Sequence, residues 1–264
     1  MSQPPGDEGS DGVRDAVPFV RDGLSSRSLY FSMEDVQSRM QLLRPDVLDL
    51  SYTRTMMGFL MFVPAPRRLA MVGLGGGSMA KFCRRHLPRT RIDVIEINPR
   101  VIALRDEFQV PRDDARFRVV EADAAVFMAD VPNRYDVLLL DGFGARGLPR
   151  ALGTQRFYDD CVDALAPGGL LVANLHTAAP DCAACVDRID RSAGGGALVV
   201  RDHERVNSIV FARKGGALGG SPNGPVARPK GLDKAAWDQL SGAFQRIAAV
   251  LASRAAEEMT GGAR

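Results

Sequence analysis

The stretch Leu69-Ala-Met-Val-Gly-Leu-Gly-Gly-Gly-Ser78 decides how the rest of this chain is read. Four apolar residues run into glycines at 73, 75, 76 and 77, and a helical pattern starts at Ser78. That order predicts strand, tight turn and helix. Glycines let the backbone take positive φ and approach a ligand closely, and the first amides of the following helix are free to bind one. A nucleotide-like ligand fits such a turn.

Downstream, strand and helix patterns alternate. Strands are predicted at 92–96, 117–121, 135–140 and 169–174, and helices at 78–86, 99–108, 124–129, 154–165 and 181–191. Near-continuous apolar strands between helices imply a parallel sheet covered on both faces. Two further strands are expected at 197–200 and 206–211. The link Arg201-Asp-His-Glu-Arg205 is too short for a crossover helix, so the pair should be an antiparallel hairpin. Five parallel strands ending in such a hairpin describe the seven-stranded fold of S-adenosylmethionine-dependent transferases better than a six-stranded dinucleotide fold.

Upstream, residues 1–18 are rich in Gly, Asp, Pro and Ser and are expected to be disordered. Residues 19–66 should form a small β-meander, with strands at 29–31, 36–40 and 47–50 and a turn at 44–46, followed by a helix over 51–62 that Pro64 and Pro66 stop. Residues 67–214 form the Rossmann-like body. A Gly/Pro-rich linker is expected over 215–231 and a C-terminal helix over 232–264, where Trp237, Leu240, Phe244, Ile247, Val250 and Leu251 make one apolar stripe.

The 264 residues carry a formal charge of only +2, which argues against a nucleic-acid surface or a polybasic membrane patch. Four cysteines do not make a disulfide framework in a chain of this length. The first residues lack a basic segment followed by an apolar one, and no apolar run is long enough to span a bilayer, so a cytoplasmic protein is expected. Cys182 and Cys185 have redox or metal spacing but no second ligand pair, and no metal is expected. Met33, Met40, Met56, Met57 and Met61 read as core fillers.

Open α/β sheets bind ligands at the carboxyl ends of their strands. Glu96 lies roughly 20 residues beyond the glycine turn, where a carboxylate accepts hydrogen bonds from ribose hydroxyls. Asp123 follows the third strand, within reach of an adenine amino group, and Asp141 closes the fourth. A dinucleotide fingerprint would want a third glycine where this chain has Ser78.

Gly73-Leu-Gly-Gly-Gly-Ser78, Val94-Ile-Glu-Ile-Asn98, Glu121-Ala-Asp123, Tyr135-Asp-Val-Leu-Leu-Leu-Asp141 and Thr154-Gln-Arg-Phe-Tyr-Asp-Asp-Cys161 resemble the spermidine synthase (polyamine aminopropyltransferase) family. The likeness is to a divergent bacterial branch described as spermidine synthase-like, and it runs from about Gln37 to Phe211. It implies a small N-terminal β-domain before a Rossmann-like catalytic domain, a homodimer, a small-molecule amine acceptor, and decarboxylated S-adenosylmethionine or S-adenosylmethionine as co-substrate. By the same likeness Glu96 would hold the ribose, Asp123 the adenine and Gln37 a nucleoside-facing position; with the glycine turn at Gly73, Gly75 and Gly77, and with Asp141 beside the sulfonium, they would bind the donor, while Asp141, Tyr52 and Tyr158 would line the reaction centre.

This chain departs from the family pattern twice. Gly76 stands where the family's glycine motif carries an aspartate for the donor's amine. Asp141-Gly-Phe-Gly144 stands where the family has Asp-Ser-Ser-Asp, whose last acid takes the proton from the attacking amine. With Gly144 in place of that acid, Asp141 or Tyr52 must supply the base. Ser78 and the free amides could instead receive the carboxylate of intact S-adenosylmethionine, so methyl transfer competes, as does a nucleoside-binding protein without activity. The acceptor is expected near Phe143, Arg146 and His176.

Overall fold

The computed structural model describes residues 11–33, 36–142, 147–218 and 226–261. The chain begins there with a short helix α1 (Asp11–Arg14) and a three-stranded antiparallel meander of β1 (Phe19–Asp22), β2 (Ser26–Tyr30) and β3 (Val36–Gln41). Helix α2 (Ser51–Met56) continues as a 3₁₀ turn (Met57–Met61). The body then runs β4 (Arg68–Val72), α3 (Ser78–His86), β5 (Arg91–Glu96), α4 (Pro99–Ala103), β6 (Phe117–Glu121), α5 (Ala124–Ala129) and β7 (Tyr135–Leu140). A 3₁₀ turn (Arg150–Gly153) leads into α6 (Gln155–Ala164), β8 (Leu165–His176), α7 (Cys182–Ala193), β9 (Leu198–Arg201), β10 (Asn207–Arg213) and α8 (Lys234–Gly261).

Among the described residues the main sheet has seven strands in the order β6-β5-β4-β7-β8-β10-β9. The first five are parallel, and β10 runs antiparallel between β8 and β9. The expected parallel sheet with a terminal hairpin is therefore what forms. Side chains alternate across it. Leu69, Met71, Val137 and Leu139 face one apolar cluster, and Ala70, Val72, Leu138 and Leu140 face the other. The first cluster is capped by α2, α3 and α8, the second by α5, α6 and α7.

Local signals set the helix starts. Gly77, at φ +67°, turns the chain into α3, and a Cβ there would lie 2.5 Å from Val110 Cγ2. Asn98 caps α4 ahead of Pro99, Asp123 caps α5, and the Thr154 hydroxyl accepts from the Phe157 N–H to cap α6. Helix α8 buries Leu240, Phe244, Ile247 and Leu251 against α2 and its 3₁₀ extension. The approach is close enough that a Cβ on Gly58 would meet Ile247 Cδ1 at 2.1 Å.

The N-terminal part departs from expectation. Residues 11–18 are not disordered: the α1 segment is tied by hydrogen bonds to the β5–α4 turn. The meander uses Phe19–Asp22 as its outer strand, and 47–50 is not a strand. There Leu48 is buried and its N–H is held by Gln239 Oε1 of α8 at 3.0 Å, so a side chain takes the place of a ladder partner. The helix over 51–62 tightens to 3₁₀ geometry after Met56. Residues 1–10, 34–35, 143–146, 219–225 and 262–264 lie outside the described residues. The readings of Phe143, Gly144 and Arg146, and part of the linker, fall there.

Candidate functional site

The carboxyl ends of β4, β5, β7 and β8 open into a cavity of about 420 Å³, within the usual range for a small-molecule site. Gly73 and Gly75 form its edge at the glycine turn, and Glu96, Asp141, Asn174 and His176 reach it from the strand tips. The meander closes it from above with Gln37, Ser38 and Arg39, and α2 contributes Tyr52. A slot of about 50 Å³ adjoins it, lined by Val13, Ile97, Asp123, Pro149 and Leu152. Glu96 and Gly73 border both spaces.

Of the residues singled out in the sequence, Gln37, Tyr52, Gly73, Gly75, Glu96 and Asp141 thus share one hollow, and Asp123 borders the slot beside it. Gly77 lines neither space and serves the turn into α3. Tyr158 is placed elsewhere. It is buried on the sheet's second face with Cys161 and Cys185, where packing raises its phenol far above the ordinary range, and it does not line the cavity. Helix α6 delivers residue 158 to the core because Phe157, Tyr158, Cys161 and Val162 make its buried side.

The turn brings β4 against β7 very closely. Gly73 has φ +93°, and a Cβ on it would lie 2.3 Å from the carbonyl oxygen of Asp141, so only glycine fits. Glu96 is 8% exposed; its Oε2 accepts the Leu74 N–H at 2.8 Å and its Oε1 the Asn98 N–H at 2.9 Å. Burial raises its pKa, and the surrounding backbone amides oppose the rise. A carboxylate fixed this way keeps lone pairs for hydroxyl donors.

Asp141 is gripped on both oxygens. Tyr52 Oη donates to Oδ2 at 3.0 Å, and Asn174 Nδ2 donates to Oδ1 at 2.8 Å. Burial raises the Asp141 pKa, with those two hydrogen bonds opposing. Burial also pushes Tyr52 well above its ordinary value, reinforced by the charge of Asp141, so Tyr52 is a donor and not a base. Asn174 was not singled out beforehand. Its position at the tip of the fifth strand, level with Asp141, was the available signal. Its Oδ1 is buried and has no hydrogen-bond partner among the described residues. Glu204, on the β9–β10 link, also borders the cavity and was missed for lack of any local motif.

At Gly76 the space for a side chain is filled. A Cβ would lie 2.7 Å from Ser38 Oγ and 2.8 Å from Phe108 Cδ1. The Phe108 segment is pinned from below by Lys81, whose Nζ donates to the Phe108 carbonyl at 2.6 Å and which is 4% exposed. On the cavity wall nearby, the Ser78 hydroxyl donates to the Arg39 carbonyl at 3.3 Å, and the Arg39 guanidinium lies 3.4 Å from Asp49.

A doubly covered sheet of this order, with acids at successive strand tips beside a glycine turn, belongs to the Rossmann-like class, in which ligands lie at the carboxyl ends of the strands. Within that class the comparisons are specific. Residues 49–179 match the Spermine/spermidine synthase domain family. The polyamine aminopropyltransferase of Neisseria meningitidis serogroup A is 41% identical over 150 residues, and that of Chromobacterium violaceum 42% over 149; each match covers 56% of this chain and 57% of the relative. The crystal structure of a probable spermidine synthase from Corynebacterium glutamicum superposes with a TM-score of 0.62 at 22% identity, over 74% of this chain and 76% of that one. This chain belongs to the spermidine synthase (polyamine aminopropyltransferase) family. The match spans little more than half the length of those curated relatives. Among the described residues no helix is long and apolar enough to cross a membrane, and no group of three or more His, Cys, Asp or Glu side chains is arranged to hold a metal ion.

Proposed function

We propose that this protein transfers an aminopropyl group from decarboxylated S-adenosylmethionine to a small-molecule amine. The observation that carries this reading is the Tyr52–Asp141–Asn174 cluster, set in the same cavity as Glu96 and the glycine turn. Glu96 receives the ribose hydroxyls, Asp123 the adenine edge, and Gln37 closes the donor from the meander. Asp141 faces the sulfonium and the attacking nitrogen. An amine is mostly protonated at neutral pH and must shed a proton before attack. A carboxylate raised by burial is a better acceptor for that proton than an exposed one, and Tyr52 and Asn174 aim it. The nitrogen lone pair then attacks the propyl carbon bonded to sulfur. A C–N bond forms, the C–S bond breaks, and its electron pair leaves on sulfur as neutral methylthioadenosine. The enzyme's share is orientation, exclusion of water and acceptance of the proton. Glu204 and His176 stand at the acceptor end, where Glu204 offers a charge opposite to that of a distal ammonium.

One observation favours methyl transfer as a second reading. Ser38 and Phe108 close the space at Gly76 where the family carries an acid for the donor's amine, and Arg39 with Ser78 offers a setting that suits a carboxylate. Incubation with each donor and a panel of amines separates the readings. Methylthioadenosine from the decarboxylated donor supports the first, S-adenosylhomocysteine from the intact donor supports the second, and release of neither product removes both. Asp123→Ala is expected to weaken donor binding by roughly tenfold in calorimetry, the worth of one hydrogen bond to a charged group; unchanged affinity would remove the adenine assignment. The four cysteines, all free thiols, support a cytoplasmic setting. Leu24 and Leu43, exposed at one end of the meander, support a homodimer.

A further inference from the structure

The α1 segment does not pack as a terminal tail. Val13 borders both the large cavity and the adjoining slot, as Glu96 does, so this part of the chain lies at their junction. It is held there mainly by Asn98, which is fully buried and sits two residues beyond Glu96. Asn98 Nδ2 donates to the Val13 carbonyl at 3.0 Å and the Ala16 carbonyl at 2.8 Å, while Oδ1 caps α4 through the Arg100 N–H. Among the described residues the other ties are peripheral: Arg100 to the Asp15 carbonyl at 2.8 Å and an exposed Arg14–Glu121 ion pair at 3.3 Å.

We propose that residues 11–16 form a strap that completes the donor site, with Asn98 as its latch. The ligand it covers is the adenosine part of the sulfonium donor or of its thioether product, and to that extent the inference rests on the donor assignment above. Residues 12–16 are exposed or half-buried, so the strap opens at low cost. Its two anchoring carbonyls bind the residue whose own N–H fixes Glu96, which couples closure of the strap to the geometry of the ribose carboxylate. Val13 supplies an apolar wall for the base side, and lifting it joins the slot to the larger cavity. Nucleoside entry and release then require the strap to move, whereas the acceptor end, at His176 and Glu204, stays open.

Methylthioadenosine is the probe, and the full-length chain is the material. In the natural protein the nucleoside is expected to slow trypsin cleavage after Arg14, read by mass spectrometry, by roughly tenfold or more. Asn98→Asp keeps an oxygen to cap α4 but removes both N–H donors; it is expected to bind methylthioadenosine roughly tenfold more weakly and to be cut faster after Arg14, with cleavage at body sites unchanged. Val13→Ser, a change at a half-buried position, is expected to weaken nucleoside binding without lowering the melting temperature. The strap is overturned if the natural chain binds methylthioadenosine while Arg14 cleavage ignores it and both variants bind as the natural chain does; the donor assignment then stands. Absence of methylthioadenosine binding to the natural chain overturns the donor assignment, and the strap with it.

Discussion

Asp141→Asn is expected to lower kcat by roughly 10²- to 10⁴-fold, the usual contribution of a positioned general base, with methylthioadenosine affinity unchanged. The substitution is nearly isosteric. The new side chain can still accept from Asn174 Nδ2 and can donate to the Tyr52 oxygen, so the cluster keeps its shape and loses only its charge and basicity. Because burial raises the Asp141 pKa, the natural enzyme should lose activity on acidification at a pH above the ordinary carboxylate range. Activity is present above that pKa and falls as pH drops through it. Tyr52→Phe should shift that acid limb further upward, since it removes one of the two hydrogen bonds that favour the ionised form. Steady-state kinetics across pH with each variant checks both points. An Asp141→Asn protein with near-natural kcat would transfer the base role elsewhere.

The second large effect concerns stability. Lys81 is buried, makes its hydrogen bond to the Phe108 carbonyl, and has its pKa lowered to about 7 by burial, with Asp46 opposing. The unfolded chain restores the ordinary value near 10.5, so between about pH 7 and 10 the unfolded state binds the extra proton. Stability from this group must therefore rise with pH across that window. At 1.36 kcal/mol per tenfold, the difference is worth up to about 5 kcal/mol at full extent. Lys81→Met should abolish the rise and be more stable than the natural chain at pH 7. Urea unfolding at several pH values measures this. Parallel pH profiles for the two proteins would mean that the ammonium is well solvated in the fold.

The body of the fold was legible because its signals are local and repeated. Apolar strands, the glycine turn, and the caps at Asn98, Asp123 and Thr154 are each written within a few residues. The short link between β9 and β10 settled the terminal hairpin. The N-terminal part was harder because its order comes from distant partners. The α1 segment is polar and would be loose alone; Asn98, over eighty residues away, holds it. Residues 47–50 carry strand-favouring side chains, yet Gln239 satisfies the Leu48 N–H and no neighbouring strand is needed. In the site, Glu96 and Asp141 were readable from the rule that ligands sit at strand tips. Asn174 obeys the same rule but carries no charge to draw notice. Tyr158 was assigned to the reaction centre through the family likeness, and the rotation of α6 turns it to the core instead.

The position of β10 has a consequence for synthesis on the ribosome. β9 is made first but, among the described residues, pairs with the sheet only through β10, which inserts between it and β8. While the nascent chain ends short of residue 213, the apolar edge of β8 has no neighbour and the far wall of the cavity, including Asn207, is missing. Domains acquire structure as units during translation, and an uncovered strand edge invites misassociation. The nascent protein thus passes through a late, sticky stage that ends only when its final strand slides home, which makes shielding by a chaperone most valuable at that moment.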